Sequence, residues 1–415
     1  MSKTANIINR ILAILFVLSL FLVFCIHTYR THVNVFQSVV SGISNSYQPE
    51  QDLFGRVDNL YIGIHSAVKE AIESNYSVLP RENDFEHLHY LYLRATLRGH
   101  FNRVTFLRDN RLMLDNLKPQ TYLTERTDVI TKLGNYVKEK GADYLFVRIP
   151  SKLKDNSQLP LAYSNNDIIE NGDILLKSVK ENGNDVLDLR SEMMRDNVNF
   201  TNAFYLMDVH WTAETALWAS GKIGEYLNEE YGYNLDLDVW NPGSYERVTF
   251  KKAFQGNEIR YTGGNRVFED ITAVFPAFYT NLEKSDIGFN ITALGNFTDV
   301  FIPALYNENN NRFSDGDLGL QEWAVTRLVN NNSNNDKKVL LISDSFGLSL
   351  CTFFSLGFND LDFVYLNRQT RDTLWQVFAE KDYDLVIFSV SDAVVSLESS
   401  ETFEEDRLYI GIPPR

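Results

Sequence analysis

The feature that most restricts this chain is a series of short, almost wholly apolar runs spaced by helix-length segments towards its C-terminal end. Residues 338–343, 362–367 and 385–390 read as strands, with helical stretches at 348–357 and 371–381 between them. A strand with one wet face alternates apolar and polar residues, whereas a continuous apolar run is what a strand covered on both faces shows. Such strands joined by helices build a parallel sheet with helices on both sides. The same alternation occurs earlier. A helix at 127–140 ends at Gly141, strands follow at 144–149 and 186–189, and a helix at 213–231 ends at Gly232. The expected class is therefore α/β, with the sheet inside and any ligand beyond the carboxyl ends of its strands.

Two parts of the chain break this rhythm. Residues 240–330 carry Pro242, Pro276, Pro303, a Gly263-Gly264 pair and many aromatics, and read as an irregular or β-rich insertion. Its aromatics are read as core, with sugar stacking as the alternative. The Asn-rich run at 330–335 reads as a surface loop. The other exception is the N-terminus. Residues 11–27 are apolar on every face and just long enough to span a bilayer. Lys3 and Arg10 precede them, which places residues 1–10 in the cytoplasm and the rest outside. Cleavage as a signal peptide needs small residues at the cut, and the exit Phe24-Cys25-Ile26-His27 has none. The organisation expected is a cytoplasmic tail at 1–10, a transmembrane anchor at 11–27, a helical stalk or elaboration at 28–100, and an outward-facing α/β domain at 101–400.

Charge and cysteine usage narrow the function. The formal net charge of -16 disfavours nucleic acid as a partner. The two cysteines, Cys25 and Cys351, are too far apart in context to pair, so disulfides are not the source of stability. The seven histidines are scattered, with no cysteine beside them, and Asp315-Gly316-Asp317 lacks the ligand spacing of a calcium loop. No Gly-rich phosphate loop is present, so no metal or cofactor is expected. The Asn-X-Ser/Thr sequons read as coincidence in an Asn-rich chain.

Two motifs carry chemistry. Asp208-Val209-His210-Trp211-Thr212 precedes the 213–231 helix, where Thr212 can cap the first turn and Glu214 favours the helix dipole. A carboxylate two residues from an imidazole, on a loop fixed by the following helix, can orient that ring. The second motif, Ser343-Asp344-Ser345-Phe346-Gly347, follows an apolar strand and opens a helix. A hydroxyl there faces the top of the sheet, beside helix-terminal N–H groups free to hold an oxyanion. A serine is a weak nucleophile and needs a base. His210 can be that base and Asp208 its orienting partner. A satisfied helix-entry histidine and a simple cap are the bland readings of the same residues.

Together these motifs resemble the SGNH-hydrolase-like DHHW proteins, relatives of the alginate O-acetyltransferases of bacterial envelopes. The Pro150-Ser151-Lys152 turn after a strand and the strand at 187–190 agree with that resemblance, which spans roughly residues 100–395. Val209 stands in place of the first histidine of the name-giving motif, and Ser343 where related hydrolases carry glycine. The resemblance implies a flavodoxin-like (SGNH hydrolase-like) fold, with Ser345 as nucleophile, His210 as base, Asp208 as its partner and Trp211 packing around them. It implies O-acetyl transfer to a cell-envelope polysaccharide, with a multi-span membrane acyltransferase as acyl donor. An acetylesterase with the same triad and a non-catalytic glycan-binding protein are the alternatives.

Overall fold

The computed structural model describes residues 100–101, 104–109, 111–114, 122–159, 167–259, 268–286, 291–306, 319–321, 323–366 and 371–396, with single positions 18, 313, 403, 406 and 408–411. Apart from Leu18, these belong to one compact unit, Leu93–Arg415. The anchor expected at 11–27 and the stalk at 28–100 lie outside the described residues but for Leu18 and His100. Among the described residues no helix is long and apolar enough to cross a membrane. The Gly263-Gly264 pair and residues 315–317 also lie outside the described residues.

Three short strands, β1 (His100–Phe101), β2 (Val104–Phe106) and β3 (Leu112–Leu114), form a small antiparallel sheet. Helix α1 (Leu123–Glu139) leads into β4 (Asp143–Ile149), and α2 (Ile168–Glu181) into β5 (Asp185–Asp188). Helix α3 (Ala213–Tyr231) follows, then the antiparallel pair β6 (Tyr245–Phe254) and β7 (Glu269–Pro276), then β8 (Leu282–Asp286) and β9 (Ile291–Gly295). The chain closes with β10 (Val325–Asn330), β11 (Lys338–Ser343), α4 (Phe346–Phe354), β12 (Asp360–Tyr365), α5 (Arg371–Glu380) and β13 (Leu385–Ser391).

The central sheet has eight strands in the order β5-β4-β13-β11-β12-β10-β8-β9. From β5 to β12 every neighbouring pair is parallel. Beyond β12 the pairs are antiparallel. The expectation of a parallel sheet therefore holds for five strands and fails for the other three. The insertion is the reason: β8 and β9 form a hairpin, which joins antiparallel neighbours without a crossover helix. Residues 240–330 thus take the β form of the expected insertion, and part of it extends the central sheet.

Period-two alternation divides the apolar strands between two cores. Leu145, Val147, Leu341, Phe363 and Ile387 face α3, α4 and the aromatics of the insertion, including Tyr245, Phe254, Phe297 and Phe301. Tyr144, Phe146, Leu340, Ile342, Val364 and Phe388 face α1, α2 and α5. Both faces are covered, as continuous apolar strands require. Burying one Leu, Ile or Phe is worth about 1.5–3 kcal/mol, and α4 has every residue buried except Ser349. That makes α4 a fixed support for the turn before it.

Candidate active site

The site begins with two turns that leave rigid elements. Strand β11 lies between the parallel strands β13 and β12, so its carboxyl end opens in the middle of the parallel part of the sheet. The chain turns at Asp344-Ser345 and enters α4. Asp344 holds this turn. Its Oδ2 accepts the Ser391 N–H at 2.8 Å and the Ser391 hydroxyl at 2.7 Å, and its Oδ1 accepts the Phe346 N–H at 3.0 Å. Burial pushes the Asp344 carboxyl up, against the lowering effect of these hydrogen bonds. Beneath it, the buried Ser389 hydroxyl donates to Ser343 Oγ at 2.7 Å. Ser343 thus has a partner across the sheet, which accounts for a hydroxyl at a position where the resemblance favours glycine. Gly347 is required instead: a Cβ there would stand 2.2 Å from Ser343 Cβ.

The second turn, 204–211, closes on itself. Phe204 and Trp211 form an antiparallel bridge, and the N–H groups of Tyr205 and Thr212 donate to the carbonyls of His210 and Ala203 at 3.1 and 2.9 Å. Thr212 caps α3 as expected, its hydroxyl accepting the Thr215 N–H at 3.4 Å, and Gly232 ends the helix in the left-handed region at φ 68°. Trp211 is buried against Phe346 with its rings edge-on at 72°, and its Nε1–H donates to Ser349 Oγ at 2.8 Å. The indole therefore ties the His210 turn to α4.

These turns bring Asp208, His210 and Ser345 into one line. His210 Nδ1 is 2.6 Å from Asp208 Oδ1, and His210 Nε2 is 2.7 Å from Ser345 Oγ. Asp208 is fully buried. Burial would raise its pKa, but the His210 charge, the His210 hydrogen bonds and the Asn257 N–H outweigh that and hold it below the usual carboxylate range. An ionised carboxylate only accepts, so Nδ1 carries a proton, and in the neutral imidazole Nε2 is left to accept from the Ser345 hydroxyl. The line runs from a fully buried carboxylate to a partly exposed hydroxyl.

A buried polar layer supports the Asp208 loop from below. Lys152 Nζ contacts Glu258 Oε2 at 2.6 Å and the carbonyls of Leu112 and Tyr205 at 2.5 and 3.2 Å. Glu258 Oε1 accepts the Leu114 N–H at 2.8 Å. The Glu269 carboxylate accepts the N–H groups of Leu206 and Met207 at 2.7 and 2.8 Å, and burial pushes its pKa up to about 7. The Asn257 N–H completes the cradle, donating to Asp208 Oδ2 at 2.7 Å.

All three site residues expected from the sequence meet here. The expected set of free helix-terminal N–H groups does not survive intact. Phe346 N–H is taken by Asp344 Oδ1, Gly347 N–H by the Asp344 carbonyl and Leu348 N–H by that of Ser345. Among the described residues the Ser345 N–H remains available at the nucleophile. Asn257, Glu258 and Glu269 carry no signal in the sequence, whereas Asp344 lies in the second motif and fills the capping role read there. The Pro-x-Lys turn was the one signal that pointed to this layer, through Lys152. Among the described residues no cluster of three or more His, Cys, Asp or Glu side chains could hold a metal ion. Cys351 is a free, buried thiol whose pKa burial pushes up.

A mostly parallel sheet covered on both faces, with a Ser–His–Asp line over the end of a central strand, has the layout of an SGNH-hydrolase-like protein. Residues 106–237 match the family model of the SGNH hydrolase-like domain of the acetyltransferase AlgX. PatB1 of Bacillus cereus, solved with a sulfonyl adduct, superposes with a TM-score of 0.59 at 16% identity, over 72% of this chain and 98% of its own. A DHHW family protein from Eubacterium siraeum superposes with a TM-score of 0.52 at 12% identity, over 76% of this chain and 98% of its own. No curated protein matches the chain. The resemblance thus stands in sequence, to the AlgX domain, for 106–237, and in fold, to PatB1 and the DHHW protein, for most of the chain.

Proposed function

We propose that this chain transfers O-acetyl groups to a polysaccharide of the cell envelope, with Ser345 as nucleophile, His210 as general acid and base, and Asp208 as the residue that orients His210 and stabilises its imidazolium. The observation that carries this reading is the unbroken line of contacts, 2.6 Å from Asp208 to His210 and 2.7 Å from His210 to Ser345. In the first half-reaction Ser345 Oγ attacks the acyl carbonyl carbon while its proton passes to His210 Nε2. The Ser345 N–H is placed to donate to the oxyanion of the tetrahedral intermediate. The donor's oxygen leaves with the proton from His210, and Ser345 carries the acetyl ester. In the second half a sugar hydroxyl gives its proton to His210 and attacks the ester. Collapse returns the proton to Ser345 Oγ and releases the O-acetylated sugar.

The apolar stretch at 11–27 fits an anchor that keeps the catalytic domain outside the cell membrane. Acetyl donors are made inside the cell, so an outward-facing enzyme needs a partner that carries the acyl group across. A multi-span membrane acyltransferase supplies that chemistry. Water can replace the sugar in the second half-reaction, which would make the protein an acetylesterase.

The deciding experiment follows a small acetyl ester with and without soluble envelope polysaccharide. Acetyl transfer is expected to appear on the polysaccharide, to depend on its concentration, and to vanish in Ser345→Ala. Free acetate released at the same rate with or without polysaccharide, and no acetylated sugar, would contradict transfer.

A further inference from the structure

A cavity with about 620 Å³ of free space lies far from Ser345 and has no part in the chemistry above. Its walls come from the residues after α3, the segment between β7 and β8, the loop between β10 and β11, and the turn after α4. These meet where β11 begins, whereas Ser345 stands where β11 ends. A six-residue strand spans about 20 Å, so the two places are at opposite ends of β11.

The lining combines two kinds of group. Phe278 and Tyr279 are exposed to 37% and 73% of their area, in a protein whose other insertion aromatics are largely core. Phe278 is held edge-on against Tyr245, with centroids 5.9 Å apart. Around these rings stand Asn332 and Asn334, whose side-chain amides make no hydrogen bond among the described residues, and Asn234, whose Nδ2 donates to the Gly232 carbonyl while its Oδ1 has no partner among them. The amides are not on a loose loop. Asn330 Nδ2 donates to the Leu356 carbonyl at 2.8 Å, Ser333 Oγ to the Gly357 carbonyl at 3.1 Å, and Asn335 Nδ2 to the Tyr233 carbonyl at 3.2 Å. Asn234 itself sits at φ 54°, a conformation asparagine tolerates better than most residues. The run at 330–335 is thus a surface loop, as expected, and it is pinned along its length.

We infer that this cavity is a carbohydrate-binding site, separate from the catalytic centre, that takes a neutral or N-acetylated sugar unit. An amide offers a donor pair and an acceptor at one point, which matches the paired roles of a sugar hydroxyl. An exposed aromatic face matches the apolar face of a pyranose ring. The pinned loop beneath these amides lowers the ordering cost of binding. Asp236 and Asp336 also line the cavity, and the whole chain is acidic, which disfavours uronic or phosphorylated sugars there. A polymer held at this end of β11 raises its own concentration at the other end, as a tethered second site does.

The test uses the full chain carrying Ser345→Ala, which removes turnover, and measures binding by titration calorimetry to cello-, manno-, malto- and chito-oligosaccharides and to oligogalacturonate. Binding to one neutral or N-acetylated series is expected, and Tyr279→Ala should weaken it about two- to tenfold, the scale of one aromatic contact. The double variant Asn332→Ala/Asn334→Ala should weaken it similarly. Both variants sit on exposed positions and should keep full small-ester hydrolysis when Ser345 is restored. No binding to any neutral series, binding unaffected by Tyr279→Ala, or preference for oligogalacturonate would overturn the assignment. Loss of the catalytic reading, shown by an unreactive Ser345, would leave these titrations unchanged.

Discussion

Gly256 lies so close to Met207 that a Cβ at Gly256 would stand 1.9 Å from the Met207 carbonyl oxygen. This contact lets the 256–258 segment reach under the catalytic loop, where the Asn257 N–H donates to Asp208 and the Glu258 N–H donates to the Met207 carbonyl at 3.2 Å. Backbone cannot give way as a flexible side chain can. Gly256→Ala should therefore push the Asp208 loop outward. We expect a loss of about 1–3 kcal/mol in stability from overpacking and about a hundredfold lower kcat from the displaced base. Chemical denaturation and ester hydrolysis read the two effects. Unchanged kcat would show that the contact does not position Asp208.

Asp208→Asn keeps the shape of the carboxylate and removes its charge. An Asn side chain can present its amide to Nδ1, which favours the tautomer in which Nε2 carries the proton and cannot accept from Ser345. Activity should fall by about 10³- to 10⁴-fold with the fold retained. Circular dichroism and acetyl-ester kinetics on the same sample check this.

Lys152 and Glu258 form a buried pair, with side chains 1% and 0% exposed. Removing one partner leaves an uncompensated charge, so Lys152→Met should cost about 3–5 kcal/mol. Adding Glu258→Gln to Lys152→Met removes that charge and should recover a large part of the loss. The Gln can still accept from the Leu114 N–H. A double-mutant cycle by urea unfolding measures the coupling. Additive losses in the double variant would show that the pair is not coupled.

Glu269 makes stability depend on pH in an uncommon direction for a carboxylate. Burial raises its pKa from 4.5 to about 7 in the folded protein. Between these values the unfolded chain has released the proton that the folded chain still holds. The stability gained by burying the neutral acid is thus full below about pH 4.5 and is lost as pH rises through about 7. The loss is on the order of 2–3 kcal/mol. Glu269→Gln cannot titrate, so its stability should change less over that interval than the parent's. Unfolding free energies at pH 4.5, 6 and 8 test the slope, and equal slopes in both proteins would discount Glu269.

Much of the chemistry was legible because it lies on regular elements with strong local signals. Strand 338–343 and helix 213–231 stand where their apolar pattern, Thr212 and Gly232 put them. From those two, the meeting of Ser345 and His210 follows once the sheet is parallel. Strand β12 begins two residues earlier than read, at Asp360, because Asp360 pairs with Lys381 and the buried Asp362 accepts from Lys381 and Tyr383 through Oδ2 in three dimensions. A charged residue at a strand start looks like loop when its partner is some twenty positions away. The hairpin β8–β9 was hidden for a different reason. Leu282–Asp286 alternates buried and exposed residues over only five positions, too few to outweigh its charges. The polar support of Asp208 was illegible because it depends on pairings such as Lys152 with Glu258, 106 positions apart, and on a main-chain N–H that any residue but proline could supply at 257.

Formation of an acetyl ester on Ser345 tests the central claim most directly. The protein is mixed with p-nitrophenyl acetate, quenched in acid within the first turnover, digested, and the peptides weighed by mass spectrometry. The account predicts one added acetyl group on the peptide containing Ser345, absent from His210→Ala under the same conditions. Acetyl found on another residue, or nitrophenol release by His210→Ala at the parent's rate with Ser345 unmodified, would contradict it.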